Sequence, residues 1–166
     1  MSMKYMLISF ALLMSLAFIA IAPPAFVKAD ALNKRLKQGN DTIYVVNFWA
    51  TWCAPCVAEL PDFEKLDSVY KDKKVKVILV STDFKKDIGS RLVPFIERKK
   101  LHSEVNFLDE LYDNEWIPKI DSTWQGNIPA TKIYTAKNGA QYFLSRETSF
   151  SELDSLTRIL LQENRR

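Results

Sequence analysis

The feature that most constrains this chain is a junction. Thr42 to Trp49 (TIYVVNFW) is an almost unbroken run of β-branched and aromatic residues, and shortly after its end Cys53-Ala54-Pro55-Cys56 opens a segment with helical spacing. A strand with so little apolar–polar alternation is buried on both faces, the situation of a central strand in a mainly parallel sheet. From Ala54 onward Val57, Leu60, Phe63, Leu66 and Val69 or Tyr70 recur every three to four residues, which predicts a helix of about sixteen residues with both cysteines at its head.

The remainder continues an alternation of strand and helix. Asp30 to Gln38 has helix-forming composition and stops at Gly39; Val75 to Thr82 reads as a second core strand; and Ile88, Leu92, Phe95 and Ile96 share one face of a helix over Asp87 to Lys100. His102 to Gly126 is less regular. Ala130 to Thr135 and Gln141 to Ser145 are strands joined through Asn138-Gly139, a hairpin signal, and Ser151 with Asp154 opens a last helix carrying Leu153, Leu156, Ile159, Leu160 and Leu161. The fold class is therefore α/β, a mixed but mostly parallel sheet with helices on both faces. With 166 residues, 48% of them hydrophobic, the chain has enough apolar material for one core.

The first 29 residues read differently. Lys4 precedes Tyr5 to Ala22, a stretch without a charge, and Pro23-Pro24 follow. This is the pattern of an export segment, and it serves either as a cleavable signal peptide or as an N-terminal membrane anchor. Val27-Lys28-Ala29 places small residues where an export peptidase reads, so cleavage after Ala29 is the expectation, leaving a domain over 30–166. Neither cysteine lies near enough to the apolar stretch to take a lipid. Of the formal charge of +3, two positive charges (Lys4, Lys28) sit in that segment, and Lys71-Asp72-Lys73-Lys74 alternates with acid, so the charge pattern argues against a nucleic-acid partner.

An exported pair of cysteines can be a structural staple. The junction argues for exchange chemistry instead, because the unpaired N–H groups and positive dipole end of a helix amino terminus stabilise a thiolate. Cys53 is then the attacking sulfur, and Cys56, one turn later, resolves the mixed disulfide. Pro55 suits the first helical turn, whereas Pro61 removes a hydrogen bond within the helix. Glu59, three residues beyond Cys56, either exchanges a proton with Cys56 or stands as a surface acid of the first turns. Asp83, at the end of a core strand, is placed to border the site. His102, in a polar connection, reads as solvated, and Trp124 as loop packing.

Asn47-Phe48-Trp49-Ala50-Thr51-Trp52-Cys53-Ala54-Pro55-Cys56, with Glu59 and Pro61, resembles the TlpA/ResA-like branch of the thioredoxin family, and Gly126-Asn127-Ile128-Pro129-Ala130-Thr131 is similar to that family's cis-proline loop. The resemblance implies a thioredoxin fold with an inserted helix and strand between the CxxC helix and the cis-Pro loop. It implies Cys53 as nucleophile, Cys56 as resolver, Glu59 as proton carrier, Pro129 as the cis residue, and Ile128 and Trp52 in the substrate groove. Position 47 departs from cytoplasmic thioredoxins, which carry a buried acid there, and moves the proton relay to Glu59 or to water.

The implied function is a protein-disulfide reductase, a thiol-disulfide oxidoreductase with no cofactor beyond its dithiol. It would act in the periplasm or on the outer face of the cytoplasmic membrane. Its substrates would be protein disulfides such as those of apocytochromes in cytochrome c maturation, and its reductant a membrane thiol-electron transporter. The alternatives are a disulfide oxidase or isomerase of the same fold and a copper- or zinc-binding chaperone. A metal site normally has further soft ligands, and His102 is the sole histidine on offer.

Overall fold

The computed structural model describes residues 23–38, 40–111 and 113–165. Tyr5 to Ala22, the expected export stretch, lies outside them. The order of elements is β1 (Ala25–Val27), α1 (Ala29–Leu36), β2 (Ile43–Trp49), α2 (Ala54–Val69), β3 (Val75–Ser81), α3 (Val93–Lys99), β4 (Glu104–Leu108), α4 (Asp113–Ile120), β5 (Ala130–Thr135), β6 (Gln141–Leu144) and α5 (Phe150–Arg165). Six strands form one sheet in the order β1-β4-β3-β2-β5-β6. The first four are parallel, β5 runs antiparallel to β2, and β6 runs antiparallel to β5.

β2 is central and buried along its whole length, as its unbroken apolar run requires. Its residues alternate between two cores. Ile43, Val45 and Trp49 pack with Leu60, Phe63 and Leu66 of α2, Phe95 and Ile96 of α3, and Leu153 and Leu160 of α5. Tyr44, Val46 and Phe48 pack with Leu32 and Leu36 of α1 and with Trp116 and Ile120 of α4. Position 47 thus faces α2.

Residues 25–29, which the sequence pattern counts with the export segment, form β1 and the start of α1. Two expectations are corrected in detail. The helix expected over Asp87 to Lys100 is split: a 3₁₀ turn (Lys85–Asp87) and a π turn (Ile88–Leu92) precede α3, because Gly89 and Ser90 are poor helix formers and Pro94 has no N–H for the residue-90 carbonyl. α5 begins at Phe150, ahead of Ser151, with Ser149 Oγ accepting from the Glu152 N–H at 3.5 Å. The irregular stretch contains β4 and α4, the inserted strand and helix. α2 runs through Pro61 to Val69, so this proline does not end it.

Candidate active site

The site is built where β2 ends. Trp49 closes the strand, Ala50 to Trp52 turn the chain, and Cys53 becomes the N-cap of α2 in extended conformation. Its Sγ accepts the Cys56 N–H at 3.3 Å, and Cys53 and Cys56 are joined by a disulfide. A helix N-cap presents free N–H groups to whatever charge develops on that sulfur. Cys53 keeps 6% of its surface open while Cys56 has none. Both cysteines are thus buried in the disulfide form, Cys53 slightly less than Cys56.

Asp83 holds the turn in place. Its carboxylate accepts from the Thr51 N–H at 3.1 Å, from Thr51 Oγ1 at 2.6 Å and from Ser81 Oγ at 2.8 Å. Sequence order placed Asp83 at the border of the site. What it does there is anchor the loop that delivers Trp52 and Cys53, a task the sequence does not signal.

Beneath the cysteines lies Glu59, 4% exposed. Its Oε1 accepts from Asn47 Nδ2 at 2.8 Å and its Oε2 from the Thr148 N–H at 2.9 Å; the same Asn47 amide reaches Thr131 Oγ1 at 3.2 Å. Burial pushes the Glu59 carboxyl up to about 7; the two donors oppose that rise, and the charges of Glu147 and Asp62 add to it. Glu59 is thus no surface acid. It is a buried carboxyl poised to gain or lose a proton near neutrality, one turn beyond Cys56.

The Ile128–Pro129 bond is cis, as the resemblance implied. The loop before it is pinned from several sides. Trp124 is buried against Phe48, Trp116 and Phe143, and its Nε1 donates to the Asn127 carbonyl at 2.8 Å. Asn127 exchanges hydrogen bonds with Ser145 at 2.9 and 2.7 Å. Gly126 has φ +84°, and a Cβ there would lie 2.7 Å from Ile117 Cδ1.

Ile128 and Trp52 line one groove of about 500 Å³, together with Phe84, Leu111, Trp116 and Asp109 among others. Trp52 and Phe84 stack with ring centroids 6.5 Å apart, and both are more than half exposed, as is Leu111. Phe84 and Leu111 carry no sequence motif; only their place at strand ends of the open sheet would have suggested them. Pro129 is buried behind Ile128. His102 sits away on another face, its N–H donating to Glu64 at 2.8 Å.

A model of the AhpC/TSA family matches residues 21–110, more than half of the chain. Thiol-disulfide oxidoreductase ResA of Oceanobacillus iheyensis is 51% identical over 39 residues, 24% of this chain and 20% of that protein. ResA of Bacillus thuringiensis subsp. konkukian is 39% identical over 62 residues, 36% of each chain. The chain thus matches no more than about a third of the length of these curated relatives. The thioredoxin-related protein of Neisseria meningitidis serogroup B shares the fold with a TM-score of 0.64 at 22% identity, over 75% of this chain and 89% of that one. The chain belongs to the AhpC/TSA family and has a thioredoxin fold.

Proposed function

We propose that this chain is an exported thiol-disulfide oxidoreductase that reduces disulfides of partner proteins through Cys53 and Cys56. The observation that carries the reading is the Cys53–Cys56 disulfide at the α2 N-cap, with Cys53 slightly less buried than Cys56. The ResA relatives, named thiol-disulfide oxidoreductases, support the thiol-disulfide exchange in this reading.

In the reduced pair, the Cys53 thiolate attacks one sulfur of a substrate disulfide, and the other sulfur leaves as a thiolate and takes up a proton. Cys56 then yields its proton to the Glu59 carboxylate, or to water, and attacks Cys53 Sγ. This expels the second substrate thiol and leaves the intramolecular disulfide. Two electrons from a thiol carrier return it to the dithiol. No group beyond the dithiol is required. Trp52, Phe84 and Ile128 receive the apolar side chains beside the substrate cysteine, and the Ile128 backbone, next to Pro129, pairs with its extended segment. Apocytochromes are one substrate class of this kind, a membrane thiol transporter the corresponding reductant, and the periplasm or outer membrane face the place of work.

The test is a trap on the full chain. Cys56→Ala should accumulate mixed disulfides on Cys53 with exported proteins, and Cys53→Ser should abolish both trapping and reduction of insulin. A Cys53→Ser chain as active as the parent sinks the reading. A reduction potential close to about −120 mV, that of a strong oxidant, would reverse the direction of electron flow.

A further inference from the structure

Residues 25–29 lie upstream of a bond that the Val27-Lys28-Ala29 pattern offers to an export peptidase, yet they are built into the domain. β1 pairs in parallel with β4, Ala25 opposite Asn106 and Val27 opposite Leu108, and the Asp109 N–H donates to the Val27 carbonyl at 2.9 Å. Phe26 meets Phe107 edge to face at 5.2 Å. Lys28 donates to the Asp109 carbonyl, and its Nζ lies 3.8 Å from the carboxylates of both Asp109 and Glu110. Ala29 is fully buried, and its N–H, the first of α1, donates to Glu110 Oε1 at 2.7 Å. Pro24 is buried as well.

The register says where this edge sits. Ala25 is level with Asn106, Asn106 with Val80, and Val80 with Phe48, so β1 lies at the carboxyl end of the sheet, the same end as Cys53. The backbone it holds is the one that lines the groove: Phe107, Leu108, Asp109, Glu110 and Leu111. Without residues 25–29, β4 becomes the sheet edge, with the Asp109 N–H unpaired. Glu110 loses its backbone donor, and two acids on the groove wall lose Lys28.

We propose that the working form of this protein keeps residues 25–29, that the Ala29–Asp30 bond is not a processing site, and that β1 with Lys28 serves as the brace of the substrate groove. Any cleavage falls upstream of Pro24. The brace role, but not the processing claim, rests on the reading of the groove given above.

Two measurements test it. The intact mass of the exported, folded full-length chain should correspond to a species that still contains residues 25–29, whether uncut or cut before Pro24; an amino terminus at Asp30 would overturn the proposal. For the brace, Lys28→Ala in the full chain should raise KM for a protein disulfide such as insulin roughly two- to fivefold, the range of one partly exposed ion-pair group, with kcat and the reaction with glutathione disulfide unchanged. An unchanged KM, or equal losses with both substrates, would refute the brace. A wild-type chain that exchanges with neither disulfide would instead remove the oxidoreductase reading, and the mass result would stand.

Discussion

Asn47 Nδ2 donates to Glu59 Oε1 at 2.8 Å, a bond from the middle of the central strand to the helix that carries both cysteines. It exists because position 47 points to the α2 face of β2 and Glu59 lies on the buried side of α2. An amide at this position lets the carboxyl keep a donor without a second acid beside it. The second oxygen is met by the Thr148 N–H, from the segment just before α5. A strand and a connecting segment thus converge on one buried carboxyl of α2.

The first prediction concerns pH. Glu59 has an ordinary value of 4.5 in the unfolded chain and about 7 in the fold. Between those values the unfolded chain binds fewer protons, so the contribution of Glu59 is fully present below the lower value and is lost as pH rises through the upper one. Glu59→Gln should remove that slope and be more stable than the parent above neutrality, by on the order of 2 kcal/mol. Urea denaturation of the oxidised chain at pH 5 and pH 8 measures it. A variant that loses stability equally at both would contradict the assignment.

Asn47→Asp exchanges the donor for a second carboxyl facing Glu59. Two acids in hydrogen-bond contact cannot both ionise cheaply, so they should share a proton and titrate as a coupled pair. The variant should lose about 1–3 kcal/mol relative to the parent at alkaline pH and little in acid. Carboxyl titration by NMR, with isotope-labelled side chains, reads the coupling directly; independent, unshifted titration of the two acids would argue against it.

Asp83→Ala strands the Thr51 N–H, the Thr51 hydroxyl and the Ser81 hydroxyl, two of these donors in a turn adjoining Cys53. Loss of several buried hydrogen bonds should cost about 2–4 kcal/mol. The turn that sets the N-cap should loosen with it, so alkylation of reduced Cys53 at neutral pH should change rate. Chemical denaturation and thiol-labelling kinetics check both; a parent-like midpoint would show that the turn holds without its clasp.

Phe84→Ala opens one wall of the groove while leaving the cysteines untouched. The stacked Trp52–Phe84 pair is exposed, so stability should shift by less than about 1 kcal/mol. KM for a protein disulfide should rise severalfold and the reaction with glutathione disulfide should stay the same. Equal rates with both substrates before and after the change would place the substrate elsewhere.

Much of this architecture was legible in residue patterns. β2, β3, α2 and the β5–β6 hairpin follow from apolar spacing and an Asn-Gly turn, since burial on one or two faces leaves a period in the sequence. The irregular stretch hid β4 and α4, and Pro94 with Gly89 and Ser90 divided what apolar spacing joined into one helix. β1 is three residues long and carries no period to read.

The Cys53-to-Cys56 pair at a strand-to-helix junction, and the type of element on either side, can be read from residue order, because these depend on neighbours a few positions apart. Which groups surround that pair depends on long-range packing. Glu59 meets the Thr148 N–H 89 positions away, Thr51 meets Asp83 across 32, and Ala29 meets Glu110 across 81. Such contacts arise when strands pair and helices dock, and they fix burial, which is what moves the Glu59 carboxyl toward neutrality and sets residues 25–29 against the strand whose end lines the groove.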